Sequence, residues 1–147
     1  MRAFSRILLS ILSVMMFTAC TTSARASGPA FQGTNPYPVQ AGDSGMMRGE
    51  LRIVSARIST AESNPPQAML QFAYFQPTPC YSLRVEPSGP DAQNRINLTA
   101  YAVAEKDKPC ALMALATPLQ ADLNLGSYPK GHYSVWLNGT KVGEFDS

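Results

Sequence analysis

The clearest indication of the fold is LNLGSYPKGHYSVWLNGTKVGEF, from Leu123 to Phe145. Apolar and polar residues alternate on either side of Asn138 and Gly139, which is typical of half-buried β-strands. Asn-Gly between two such runs predicts a type I′ hairpin turn, because both central residues of that turn need a positive φ. The end of the chain is therefore predicted to be a β-hairpin.

A corner precedes this hairpin. Tyr133 begins a strand just after a Pro-x-Gly turn that ends at Gly131. This resembles the tyrosine corner of immunoglobulin-like sandwiches, in which the phenol bonds back to the backbone of the corner. The whole G-x-Y-x-V-x-x-N-G pattern resembles small bacterial envelope proteins that carry one immunoglobulin-like domain. The chain departs from antibody domains at Val135, where the second sheet-bridging cysteine would stand, and the resemblance implies a fold without an activity.

The same strand holds the only histidine and the only tryptophan of the chain. Strand alternation points Tyr133, Val135 and Leu137 toward the core and His132, Ser134 and Trp136 away from it. A histidine in this position is expected to face solvent rather than to act as a general base. The outward indole is either covered by another segment, such as an N-terminal tether, or marks a contact site.

The chain from residue 50 onward also predicts strands. Short alternating runs are separated by clusters of Pro, Gly, Asn and Asp, and strands with one apolar face must close a core between two sheets. We expect an all-β, immunoglobulin-like antiparallel β-sandwich of seven or eight strands. The predicted strands are 50–59, 68–75, 81–87, 95–104, 110–115, 119–125, 132–138 and 141–145. Their predicted inward residues include Leu70, Phe72, Tyr74, Tyr81, Leu83, Val85, Ile96, Leu98 and Ala100.

The N-terminus has the layout of a bacterial export signal. Arg2 and Arg6 precede an apolar run over 7–17 that small residues follow. This run is about half of the roughly 20 residues that a membrane-spanning helix needs. Residues 1–19 are therefore predicted to be a signal peptide.

The end of this signal suggests a lipid anchor. FTAC, at 17–20, resembles the lipobox of bacterial lipoproteins, although Phe17 stands where that family usually has Leu, Val or Ile. The resemblance implies that Cys20 is acylated, with palmitate among its chains, and Thr21 after it favours an outer-membrane address. More than one acyl chain gives stable anchoring. The alternative is cleavage after Ala26, at the A-x-A site, which would release a soluble periplasmic protein.

The other two cysteines are expected to pair. If Cys20 is acylated, Cys80 and Cys110 form an even set in an oxidising compartment, which predicts a disulfide. The chain has no C-x-x-C motif, and its one histidine cannot complete a zinc site with two thiols. No metal or other cofactor is expected.

Residues 20–48 are predicted to be a flexible, disordered tether, and 49–147 the β-sandwich domain. The tether is rich in Ser, Thr, Gly, Pro, Gln and Ala, so it offers little apolar surface to bury. Within it, GDSG at 42–45 looks like the nucleophile motif of trypsin-like proteases. The sole histidine lies far downstream, however, and the chain is too short for two barrels. GDSG is therefore interpreted as a flexible turn.

Composition and motifs then limit the function. Without the signal peptide, ten Lys and Arg residues face ten Asp and Glu residues, and no basic stripe suggests nucleic acid. Catalytic motifs such as H-E-x-x-H and G-x-S-x-G do not occur, so an enzyme is not expected. The predicted function is a lipid-anchored binding or assembly module of the cell envelope, with an envelope protein as its partner. The alternative is an inhibitor of a periplasmic or extracellular protease that presents the disulfide-stiffened loops 76–80 and 105–110.

Overall fold

The computed structural model describes residues 30–110 and 115–147. The predicted signal peptide, Cys20 and the first part of the predicted tether lie outside these residues, and so does most of the predicted strand 110–115. A 3₁₀ helix (Ala41–Gly45) comes first, and β-strands follow it. These are β1 (Met47–Gly49), β2 (Arg52–Ala61), β3 (Gln67–Phe75), β4 (Ser82–Pro87), β5 (Arg95–Ala104), β6 (Leu119–Gly126), β7 (His132–Leu137) and β8 (Thr140–Asp146).

The strands form two sheets, which confirms the predicted all-β sandwich. Sheet I has the order β2-β3-β6. In sheet II, β5 pairs with β4 along one side, and with β1 and β7 at different ends of the other side, while β8 follows β7. All pairs are antiparallel except β5 with β7. This departure from the antiparallel prediction has a topological cause, because the chain passes through β6 in sheet I before it returns beside β5.

The core lies between the sheets and follows the predicted alternation, with one exception. Tyr81 is only half-buried, and the prediction that it points into the core is wrong. β4 begins one residue later, so Tyr81 lies outside the ladder, and its ring lies close to Gly49. The large side chains that are fully buried are Leu70, Phe72, Val85, Ile96, Leu98, Leu123, Leu125, Val135 and Leu137.

Residues 30–49, here called the N-terminal segment, join the two sheets along one side of the sandwich. Thr34 forms a bridge to Asn124 of β6. A few residues later, the Asn35 amide donates to the Val85 carbonyl oxygen at 2.7 Å, and the Val85 N–H donates to the Tyr37 carbonyl oxygen at 2.8 Å. The segment therefore runs from the edge of sheet I to the edge of sheet II.

The prediction of a flexible tether is wrong for residues 30–48, the part of it that the structure describes. Phe31 and Tyr37 pack against the hydrophobic core and supply apolar surface that the segment's overall composition concealed. Gly33 lies so close to β6 that a Cβ at this position would overlap the Asn124 carbonyl oxygen. The segment is thus part of the domain, because two aromatic side chains and backbone pairing fasten it.

GDSG is also not a free turn. It lies in the 3₁₀ helix, where the Asp43 carboxylate accepts hydrogen bonds from Arg84 Nε at 2.7 Å and Nη2 at 3.1 Å. Arg84 is 8% exposed, so this ion pair is shielded from water. A buried guanidinium needs a partner of opposite charge, and Asp43 is that partner. The interpretation of residues 42–45 as a flexible turn is therefore wrong.

The N-terminal segment covers part of the outer face of sheet II. Tyr101 and Val103 alternate with the inward residues of β5, yet they are 8% and 3% exposed. The Arg48 guanidinium lies 3.5 Å from the centre of the Tyr101 ring. Sheet I has no such cover from the described residues of this segment, whose pairing there is to the edge strand β6. The two outer faces therefore differ.

None of the helical residues that the structure describes forms a helix long and apolar enough to cross a membrane.

Candidate functional site

The predicted disulfide is present. Cys80 and Cys110 are bonded, with their Cα atoms 6.0 Å apart, and the bond ties the β3–β4 connection to the chain that follows β5. The Gln76 amide also fastens the first of these loops, since it donates to the carbonyl oxygens of Thr78 and Tyr81 at 3.1 and 2.9 Å. The loop over residues 76–81 is therefore held by both covalent and hydrogen bonds.

The predicted tyrosine corner is also present. The Tyr133 hydroxyl donates to the Pro129 carbonyl oxygen at 2.9 Å, and the Tyr133 ring stacks on Phe145 with centroids 5.4 Å apart. Gly131 exchanges two backbone hydrogen bonds of 3.0 Å with Ser147, so the corner also holds the C-terminus. These contacts give Tyr133 and Gly131 a structural role.

Asn138 and Gly139 form the predicted hairpin turn, with φ values of 49° and 79°. Asn138 also has a role that the sequence did not reveal. Its side-chain amide accepts from the Ala100 N–H at 2.7 Å and donates to the Ala100 carbonyl oxygen at 2.9 Å. Ala100 lies on β5 between the residues paired with β7 and those paired with β1. The amide therefore replaces backbone pairing at a gap in sheet II.

Trp136 lies on the outer face of sheet II, as predicted, and is half-buried. Its Nε1–H donates to Ser134 Oγ at 3.2 Å, and its neighbours across the sheet are Asn97 and Lys141. The N-terminal segment is held by hydrogen bonds, an ion pair and strand pairing to β4, β5, β6 and Tyr128. None of these contacts involves Trp136. A contact role for the indole stays a prediction.

His132 belongs to a small exposed charge cluster with β8. Its Nδ1 lies 2.8 Å from Asp146 Oδ1, and its Nε2 lies 3.5 Å from Glu144 Oε2. The hydrogen bond with Asp146 raises the pKa of the imidazole. Glu144 also pairs with Lys141, whose hydrogen bond lowers the pKa of that carboxyl. Two carboxylates that stabilise the imidazolium explain this histidine without a catalytic role.

A depression of about 430 Å³ lies on the outer face of sheet I. Its floor is Ala73, at the centre of the sheet and 5% exposed. Ser55 and Gln120 flank Ala73 on the neighbouring strands. The small side chain in the middle, between longer ones on each side, creates the depression.

The next row across the depression carries its charges. Gln71 lies between Arg57 of β2 and Asp122 of β6 in the strand register. Arg57 Nε donates to Gln71 Oε1 at 2.7 Å. Arg57 and Asp122 are exposed and Gln71 is half-buried, so these polar groups can be reached from solvent.

Sequence reasoning did not single out the residues of this depression. The sequence did contain one signal, because polar residues occupy outward positions on three strands. These are Ser55 and Arg57 on β2, Gln71 on β3, and Gln120 and Asp122 on β6. Only the register of the strands shows that these residues share one face. β6 pairs with β3 across more than forty intervening residues, and alternation within a strand carries no information on such pairing.

Within residues 30–110 and 115–147, no three His, Cys, Asp or Glu side chains are grouped so that they could hold a metal ion. Compared with protein-family models, with curated proteins and with solved structures, the chain gave no significant match.

Proposed function

We propose that this protein is a lipid-anchored binding module of the cell envelope, without catalytic activity. The export-type N-terminus and the cysteine of FTAC support the anchor. The Cys80–Cys110 bond supports an address outside the cytoplasm, since structural disulfides persist in oxidising compartments and are rare in reducing ones. An outer-membrane anchor with the domain in the periplasm or at the surface accommodates these features.

The observation that carries the binding function is the depression on sheet I. Residues 30–49 cover part of sheet II, whereas the described residues leave the polar side chains of the depression accessible. Ligand sites combine a concave surface with a few polar groups of defined orientation. The bond from Arg57 to Gln71 supplies such orientation.

The absence of catalysis is supported by what the reactive groups do. The histidine is paired with carboxylates, and the aspartate of GDSG neutralises a buried arginine. The thiols of Cys80 and Cys110 are consumed in the disulfide. Each of these groups therefore has a structural explanation.

The anchor is tested by replacing Cys20 with Ala and fractionating the cells. We expect the wild-type protein in the membrane fraction with a diacylglycerol-modified N-terminal peptide in its mass spectrum. The Cys20→Ala variant should lose the acyl mass. Ala26→Leu is the matched control, because it blocks the alternative A-x-A site and should leave acylation intact. Soluble wild-type protein that begins at Ser27 would contradict the anchor.

Protease inhibition is the second candidate, and the disulfide is the observation that favours it. The bond fastens loop 76–80 to the end of loop 105–110, and rigid loops bind with a smaller loss of entropy. Purified protein would inhibit at least one enzyme of a panel of serine, cysteine and metallo-proteases. The double variant Cys80→Ser and Cys110→Ser should weaken that inhibition. No inhibition across the panel removes this candidate.

A further inference from the structure

We infer that the depression on sheet I binds an uncharged, hydroxyl-rich carbohydrate. The inference rests on the proposed binding function and names the class of its ligand. Three properties of the depression carry it, which are its hydrogen-bonding groups, its balance of charge and its size.

The hydrogen-bonding groups match hydroxyl groups. The bond from Arg57 Nε occupies Gln71 Oε1, so the terminal guanidinium N–H groups and the Gln71 amide N–H groups are oriented as donors. Asp122 supplies acceptors, while Ser55 and Gln120 can each donate and accept. A sugar hydroxyl also donates and accepts. Neighbouring hydroxyls of one ring can therefore bond to adjacent members of this set.

The charges select a neutral ligand. Among the residues that line the depression, Arg57 is the one cation and Asp122 the one anion. The lining therefore carries no net charge and offers neither a phosphate nor a metal cation a surface of predominantly opposite charge. An uncharged ligand can hydrogen-bond to both groups.

The size of the depression suits a small ligand. Two rows of side chains on three strands span roughly 7 by 10 Å, from the strand spacings of a β-sheet. That area suits one or two sugar rings and is far below the roughly 800 Å² per partner of a stable protein interface. Interface centres are also rich in aromatic residues and poor in Asp. Here the centre is Ala73, whose small side chain lets the C–H face of a sugar ring approach β3.

The test uses the full protein, extracted from membranes in a detergent without sugar groups and labelled with ¹⁵N. Maltotetraose and the tetramer of N-acetylglucosamine are titrated separately, and amide chemical shifts are followed. We expect saturable shifts with at least one of them at the amides of Ser55, Gln71, Ala73 and Asp122. Gln71→Ala and Asp122→Ala should each raise the dissociation constant about tenfold, because each variant loses one hydrogen bond to an oriented or charged group.

Gln67→Ala is the matched control. Gln67 is a glutamine of the same strand at its far end, where it pairs with Asn124 outside the depression. Its replacement should leave the dissociation constant unchanged. The spectrum of each variant shows whether it is folded, so a loss of binding by an unfolded variant is recognised, and the other variant then decides.

Three results would overturn the inference. The first is that neither saccharide shifts these amide signals, and the second is that inorganic pyrophosphate shifts them instead. The third is that both variants bind the saccharide as tightly as the wild type. The proposed anchor is judged separately by acylation at Cys20. An acylated protein that ignores both saccharides overturns the carbohydrate inference alone, whereas a protein without acylation overturns the anchor and leaves the binding result standing.

Discussion

The outer face of each sheet carries an arginine over an aromatic ring, but the two rings differ in burial. On sheet II, Arg48 lies 3.5 Å from the centre of the Tyr101 ring, and on sheet I, Arg52 lies 4.4 Å from the centre of the Phe75 ring. Tyr101 is buried beneath the N-terminal segment, whereas Phe75 is half-buried. Among the described residues, the outer face of sheet II is therefore the better covered, and the outer face of sheet I is the one on which we propose binding.

The carboxylates repeat this contrast. Asp43 and its partner Arg84 have side chains that are 6% and 9% exposed, while Asp122 is exposed in the depression of sheet I. An ion pair shielded from water depends on both partners, because the survivor would be left buried and uncompensated. An exposed carboxylate is solvated by water, so replacing it with another residue changes the free energy of unfolding little. Substitutions on sheet II should therefore affect folding, and those on sheet I should affect binding.

The largest effect is expected from Tyr101→Ala. It removes a buried ring and leaves a cavity beneath the N-terminal segment, which should lower the free energy of unfolding by about 3 kcal/mol. Phe75→Ala, the matched variant on sheet I, should cost about 1 kcal/mol because part of that ring is already in water. Chemical denaturation with the disulfide intact measures both. Equal losses would show that the N-terminal segment does not shield sheet II.

Asp43→Asn should have a smaller but clear effect. Asparagine keeps one acceptor for Arg84 and loses the charge, so the melting temperature should fall, whereas Asp122→Asn should leave it unchanged. The hydrogen bond from Arg84 lowers the pKa of Asp43. Its stabilisation is therefore present above the pKa of the unfolded chain and is lost as pH falls through the lower folded pKa.

Acid melting curves check the sign of this effect. The difference between wild type and Asp43→Asn should shrink as pH falls below about 4, the ordinary range of an aspartate. A difference that grows in acid would contradict the assigned ion pair.

Asn138→Gly tests whether sheet II depends on a side chain to complete its pairing. Glycine tolerates the positive φ but leaves the Ala100 N–H and carbonyl without their amide partner, which should cost about 2 kcal/mol. Exchange of the Ala100 amide hydrogen should also become faster. Asn94→Gly is the matched control, since Asn94 has a φ of 56°, and it should change stability little. Unchanged exchange at Ala100 would show that the Asn138 amide is dispensable.

The smallest effect is expected at His132, on a part of sheet II that is exposed. The hydrogen bond with Asp146 raises the pKa of His132. Its stabilisation is therefore fully present below the pKa of the unfolded histidine and is lost as pH rises through the higher folded pKa. The melting temperature should fall slightly above about pH 6.5, the ordinary histidine value. Both His132→Gln and Asp146→Asn should flatten this slope, and a steeper slope in either variant would contradict the pairing.

Much of the fold could be predicted from the sequence because its signals are local. Alternation identified β3, β5 and β7, and the Asn-Gly turn and the tyrosine corner depend on neighbouring residues. The disulfide was predicted from the number of cysteines and the expected compartment. In contrast, the tether prediction was wrong for residues 30–48 because composition averages over a segment. Two aromatic rings and one aspartate fasten that segment, and their partners lie far away in the chain.

Local sequence patterns indicate where strands and turns occur, which side chains of a strand share a face, and that His132 and Trp136 point away from the core. What lies against each outer face depends on contacts between distant segments. The tertiary structure placed Asp43 on Arg84, set the Asn138 amide into the gap on β5, and brought Arg57, Gln71 and Asp122 into one row. The physical reason is that backbone conformation is governed by near neighbours, whereas register and burial depend on contacts between distant segments.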